Sequence, residues 1–88
     1  MSNDKHDTVT VTYNGADEDV RYQPNAAIQA LLQQAKHAFA LQNSPNNHLL
    51  ALFTGDGVEL DDNQSAADAG VKPGMLLVLR QSTVKGGS

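Results

Sequence analysis

The chain has no cysteine, which excludes disulfides, thiolate metal sites and thiol nucleophiles together. A reducing, cytoplasmic compartment is the expected setting. Basic residues are scarce: 6 Lys and Arg stand against 10 Asp and Glu, a formal net charge of −4. Gripping a run of phosphates takes a clustered basic face, and so does docking on an anionic bilayer. Neither nucleic acid nor membrane is therefore an expected partner. No apolar run approaches the ~18 residues of a membrane span, and the stretch from Met1 to Val9 has no apolar signal-peptide core. Length is short too. At 88 residues one domain is expected, and a domain of this size buries only about 60–65% of its unfolded surface, leaving little room for a deep cleft. The composition points to a carrier, adaptor or binding module, not an enzyme.

What is present is organised by changes of hydrophobic period. Residues 1–7 are polar and aperiodic, an expected disordered leader, and residues 82–88 hold a single apolar side chain, Val84, as an expected flexible tail. Residues 8–81 are expected to form the folded domain. Val9, Val11 and Tyr13 alternate with Thr8, Thr10 and Thr12, the period of a half-buried strand. Asn14-Gly15 tolerates positive φ at both positions. Val20 and Tyr22 then alternate with Asp19, Arg21 and Gln23, so a hairpin follows, with a bulge expected in its loop from Asn14 to Glu18.

Pro24 stops that strand, and Asn25 is placed to cap a helix. Ile28, Leu31, Leu32, Ala35 and Phe39 make an apolar stripe one helix face wide, with Gln29, Gln33, Gln34, Lys36 and His37 on the other faces. Turn-formers from Asn43 to Asn47 end it. Leu49 to Phe53 suits a strand, Thr54 to Gly57 a reversal, and Val58 to Leu60 a brief return. Ser65 to Ala69 can form one helical turn, closed by Gly70 in a left-handed conformation. Pro73-Gly74 leads into Met75 to Leu79, whose continuous apolar character suits a central strand beside the first. The helix must lay its stripe on the sheet. The expected class is α+β, a mixed sheet of four to five strands packed on one main helix, in the β-grasp arrangement.

Three stretches resemble ubiquitin and its relatives. They are Val20 to Pro24 followed by Ile28; Leu52, Phe53, Thr54 and Gly55 with Leu60, across a longer turn; and Leu77, Val78, Leu79 and Arg80, followed by a tail to Gly86-Gly87. The likeness runs from about Thr8 to Gly87. It implies a ubiquitin-like β-grasp protein modifier, joined to target proteins by an isopeptide bond. In such modifiers the carboxylate of the last glycine reacts. A partner activating enzyme uses ATP to form an acyl-adenylate, and a conjugating enzyme carries the glycyl group to an amine. The chain itself needs no bound cofactor. Glycines lack Cβ and can thread a narrow channel. Gln81 to Gly87 extends roughly 23 Å at about 3.3 Å per residue, well clear of a domain with a radius of gyration of about 12 Å.

The departures matter. Ser88 follows the glycine pair, so a processing protease is expected to cut between Gly87 and Ser88 first, and a related protease to deconjugate. The tail is longer than in ubiquitin and carries Lys85 in place of a second arginine. Low identity outside the quoted motifs implies a divergent member, and a bacterial conjugation system is expected. Two alternatives stay open: a sulfur carrier in which Gly87 becomes a thiocarboxylate, though such carriers usually lack a trailing residue, and a noncovalent β-grasp adaptor with an inert tail. Gly-Gly-Ser is also a common unstructured end.

Alternation places Leu50, Leu52, Leu76 and Val78 on the sheet face away from the helix, with Arg80 beside them, as a candidate partner-binding or self-association patch. Leu52 and Val78 resemble members of ubiquitin's recognition patch, whose leucine in the first hairpin loop has no counterpart here. Lys5, Lys36, Lys72 and Lys85 are candidate acceptors for chain formation, although exposed lysines ordinarily serve solubility. His6, His37 and His48 lack metal-ligand spacing. Asp56, Glu59, Asp61 and Asp62 read as a solvated acidic loop, not a hydrolytic pair. Thr54 to Gly57 lacks the Lys-Ser/Thr of a phosphate loop.

Overall fold

The computed structural model describes residues 7–45 and 47–84. The elements are β1 (Thr8–Tyr13), β2 (Ala16–Arg21), α1 (Ile28–Ala38), a 3₁₀ turn (Asn47–Leu49), β3 (Leu50–Thr54) and β4 (Leu76–Gln81). The four strands form one sheet in the order β2-β1-β4-β3. β1 and β4 are parallel at the centre, and the outer pairs are antiparallel. This is the expected mixed sheet on one helix, a ubiquitin-like β-grasp, with the continuous apolar strand β4 in a central position. The expected return of residues 58–60 amounts to one bridge between Phe53 and Glu59, flanked by hydrogen bonds from Thr54 N to Val58 O and from Leu60 N to Leu52 O, both at 2.9 Å.

The hairpin is tighter than expected. Asn14 and Gly15 have φ of 56° and 86°, and Tyr13 pairs directly with Ala16. Two successive positive φ values make a two-residue turn whose twist matches the strands, so no bulge is needed. β2 ends at Arg21, and Tyr22 is buried just beyond it. The backbone of Asp7, expected in the loose leader, accepts a bond from Tyr22 N at 2.9 Å. Residues 1–6, including His6 and Lys5, lie outside the described residues.

Helix α1 buries the expected stripe of Ile28, Leu31, Leu32 and Ala35, with Phe39 partly covered. Asn25 is not its cap. The capping position is Ala27, with no side-chain hydrogen bond. A helix leaves its first N–H groups without internal partners, and here a distant loop supplies them: Ile28 N donates to Gln64 O at 2.7 Å and Gln29 N to Asp62 O at 3.1 Å. Lys36, expected on an outer face, is only 7% exposed and counts among the buried residues of the helix. The helix ends in a Schellman arrangement, with Leu41 N bonding Lys36 O at 2.8 Å and Ala40 N bonding His37 O at 3.0 Å. The residue in the left-handed conformation is Ala40, at φ 57°. The turn after Ser65 closes the same way through Gly70 at φ 88°, as its sequence implies.

The core lies between α1 and one face of the sheet. Val9, Val11, Val20, Leu52, Leu77 and Leu79 meet the helix stripe there, and Leu41, Leu60, Ala66 and Val71 close its ends.

Candidate functional site

The two features that the sequence offers for function, a sheet face and a C-terminal segment, both belong to β4. Its register decides which side chains the face presents. Leu52 pairs with Leu79, Phe53 with Val78 and Ala51 with Arg80. Residues directly opposite one another share a face. Leu52 therefore points with Leu77 and Leu79 into the core and is 0% exposed. Leu50, two residues earlier, is partly buried against the same core. Neither belongs to the outer patch. The expectation for β3 was out of phase by one residue, and such a slip inverts every side chain of a strand.

The outer side of the sheet instead has Ala51 and Phe53 on β3, both buried at 0% and 2% exposure, beneath Leu76, Val78 and Arg80 on β4. Leu76 is 47% exposed, Val78 is half-buried and Arg80 is exposed. The Arg80 guanidinium lies over the Phe53 ring, 4.9 Å from its centroid, a cation–π arrangement. Phe53, 2% exposed, is a buried support for Arg80 that the sequence pattern alone does not place on this side of the sheet. The antiparallel pairing of β3 with the Leu77 and Leu79 alternation was the signal that could have found it.

The same face changes character across the sheet. Thr10 and Thr12 pair with Leu76 and Val78 on one side and with Asp19 and Asp17 on the other. Thr10 Oγ1 donates to Asp19 Oδ1 at 3.0 Å. One half is polar and acidic, the other aliphatic with a cation.

Beyond β4 the backbone continues beside the start of β3, with Ser82 N donating to Leu49 O at 2.8 Å. The first residues of the expected flexible tail are held. Glu59 Oε2 accepts from Ser82 Oγ at 2.5 Å, and Glu59 Oε1 accepts from Thr83 N at 2.9 Å and Thr83 Oγ1 at 2.8 Å. Glu59 is therefore not part of a merely solvated acidic loop. Val84 follows, 71% exposed. Lys85, Gly86, Gly87 and Ser88 lie outside the described residues. Of the other acceptor candidates, Lys72 is exposed and Lys36 is buried.

A groove of about 440 Å³ runs between the exit of β2 and α1, bounded by Asp7, Arg21, Tyr22, Ala27, Ala30 and Leu31. Burial, and then the neighbouring Asp7 charge, hold the Tyr22 phenol above its usual value of 10.0. Among the described residues no group of three or more His, Cys, Asp or Glu is placed to hold a metal ion. His37 Nδ1 lies 2.6 Å from Gln42 Nε2, and His48 is exposed. Among the described residues no helix is long and apolar enough to cross a membrane.

Residues 2–87 match a sequence family described as "Protein of Unknown function (DUF2604)". No protein of curated function matches the chain. Among solved structures it is similar to ATBAG1 in a crystal structure with HSP70, at 18% identity and a TM-score of 0.68 over 88% of this chain and 41% of that one. It spans about two fifths of that ATBAG1 chain. It is also similar to a de novo design based on ubiquitin, at 20% identity and a TM-score of 0.69 over 92% and 94% of the two chains. The N-terminal ubiquitin-like domain of the 4931431F19Rik protein gives 16% identity and a TM-score of 0.71 over 98% and 84%. At these identities the likeness shows the fold, which is that of ubiquitin.

Proposed function

The chain belongs to the DUF2604 family, and we propose that it works as a ubiquitin-like protein modifier, processed after Gly87 and joined through that residue to amines of target proteins. One observation carries this reading: β4 is a central strand of a ubiquitin-like sheet, and the segment leaving its C-terminal end holds Gly86-Gly87. The chemistry asks nothing catalytic of this chain. Water first divides the Gly87–Ser88 bond, leaving the Gly87 carboxylate. A carboxylate is a poor electrophile, so a partner activating enzyme converts it with ATP to an acyl-adenylate, releasing pyrophosphate. A carrier group on the conjugating enzyme then displaces AMP. A target amine displaces the carrier, and the isopeptide bond forms. The folded domain is a handle that these cytoplasmic enzymes recognise.

A noncovalent use is favoured by a separate observation, the outward-facing Leu76 and Val78 beside Arg80. A protein sharing this fold, ATBAG1, was crystallised in complex with HSP70. On this reading the exposed side chains of the face are the contact for enzymes, targets or a second copy, a use compatible with conjugation.

Intact-mass measurement of the full chain with its cognate activating enzyme, ATP and protease tests the proposal. Loss of Ser88 followed by covalent adducts is expected, and Gly87→Ala blocks the adducts without changing the melting temperature. Absence of both processing and adducts overturns it. Exchange of one oxygen for sulfur selects the sulfur carrier instead, and partner binding by a chain that is never processed selects the adaptor.

A further inference from the structure

We infer that Glu59 is a positioning residue for the C-terminal segment: its carboxylate pins Ser82 and Thr83 to the loop after β3 and keeps the tail short until a partner displaces it. The importance given to the tail rests on the modifier reading above; the contact does not. Glu59 is itself fixed in place. It forms the bridge with Phe53, and the next residue donates from Leu60 N to Leu52 O at 2.9 Å. Both carboxylate oxygens are engaged by the segment, one by Ser82 Oγ and the other by Thr83 N and Thr83 Oγ1. Ser82 Oγ in turn accepts from Val84 N at 2.9 Å. Ser82 is 7% exposed, and its own N–H is paired with Leu49 O. Hydrogen bonds to an ionised acceptor are about twice as strong as neutral ones, and here a backbone amide and two hydroxyls converge on one carboxylate.

The consequence is a change of reach. β4 ends at Gln81, so with Ser82 and Thr83 detached the six residues to Gly87 can extend roughly 20 Å; with the pair held, the four from Val84 can extend roughly 13 Å. An enzyme that draws Gly87 deeper than this must first detach Ser82 and Thr83 from Glu59. The contact therefore separates partners by the depth of their reactive site.

The test uses the full chain as wild type, Glu59→Ala and Glu59→Gln. Amide hydrogen exchange is followed at Thr83 and Val84, together with thermolysin cleavage of the Thr83–Val84 bond, since thermolysin cuts before apolar residues. Glu59→Ala should raise both rates about tenfold, the effect of losing one net charge-assisted hydrogen bond, while Val11 and Leu77 exchange as in the wild type. Glu59→Gln, which keeps one acceptor oxygen of the same shape, should fall between. Equal Thr83 exchange in wild type and Glu59→Ala overturns the inference. So does a uniform rise that includes the core amides, which would make Glu59 a general stabiliser. If exchange responds as expected but no variant loses Ser88 or forms adducts, the positioning role stands and the modifier reading falls.

Discussion

Replacing Leu52 by alanine tests which face of the sheet meets the helix, and so which residues a partner can reach. Leu52 is 0% exposed, and it sits opposite Leu79 within the main core. The substitution removes about three carbons, worth about 2.4 kcal/mol at roughly 0.8 kcal/mol each. The cavity left behind adds to this, and buried Leu→Ala changes span about 2.7–5.0 kcal/mol. A cost of about 3–4 kcal/mol is expected. A domain of this size holds roughly 4–13 kcal/mol in total, so the variant loses a large share of its stability. At about 4–8 °C per kcal/mol, the melting temperature falls by about 12–30 °C.

Leu76→Ala is the matched control. It deletes the same atoms from a side chain that is 47% exposed, on the opposite face of β4, and should cost about 1 kcal/mol or less. Urea unfolding followed by circular dichroism measures both, with an unchanged m-value showing that the two variants unfold from comparable states. If Leu52→Ala costs no more than Leu76→Ala, then Leu52 faces solvent, β3 is shifted by one residue against β4, and the outer patch described above is wrong.

Two further perturbations report on local backbone and charge. Ala40 sits at φ 57°, where an L-residue costs about 1–2 kcal/mol; Ala40→Gly recovers this and gives back about 0.4–1 kcal/mol to unfolded-chain entropy, so the melting temperature should rise by a few degrees. Gly70→Ala should lower it by a similar amount, because an added Cβ meets no neighbour there and the backbone conformation alone is at issue. Tyr22 has its phenol raised above 10.0 by burial and by Asp7, so the unfolded chain ionises first. Its contribution is complete below pH about 10 and is lost as pH rises toward the folded-state value; comparing urea midpoints at pH about 9 and about 11, Tyr22→Phe should show the smaller loss.

How far the sequence foretells this molecule depends on whether the deciding partner is local. Val9 and Val11 carry their own period and Asn14-Gly15 its own turn, so the hairpin is readable. The stripe on α1 and the left-handed Gly70 are readable for the same reason. The central position of β4 follows from an apolar run that only a strand covered on both sides tolerates. Leu49 to Phe53 is different, because a uniformly apolar run contains no alternation and the face of Leu52 is set only by pairing with Leu79. The start of α1 invites an Asn25 cap, yet its free N–H groups are met by Asp62 and Gln64, far along the chain. Glu59 looks like one more acidic loop residue until the fold brings Ser82 and Thr83 to it. The glycine pair was found from resemblance alone, since nothing in its composition distinguishes a reactive end from an ordinary one.

The patch and the tail are not independent features, because one strand carries both. Leu76, Val78 and Arg80 alternate along β4 on the outer face, and Ser82 follows at the same period. From Val78 to Ser82 is four residue steps, roughly 13 Å at about 3.3 Å each. The Arg80 guanidinium over Phe53 lies between them, and Phe53 is bridged to Glu59. A partner that grips Leu76 and Val78 thus sits one short step from the carboxylate that holds Ser82 and Thr83. The exposed side chains of the sheet face and the segment held by Glu59 therefore lie next to each other along one strand, so on the modifier reading proposed above a partner covering Leu76 and Val78 meets Ser82 and Thr83 next.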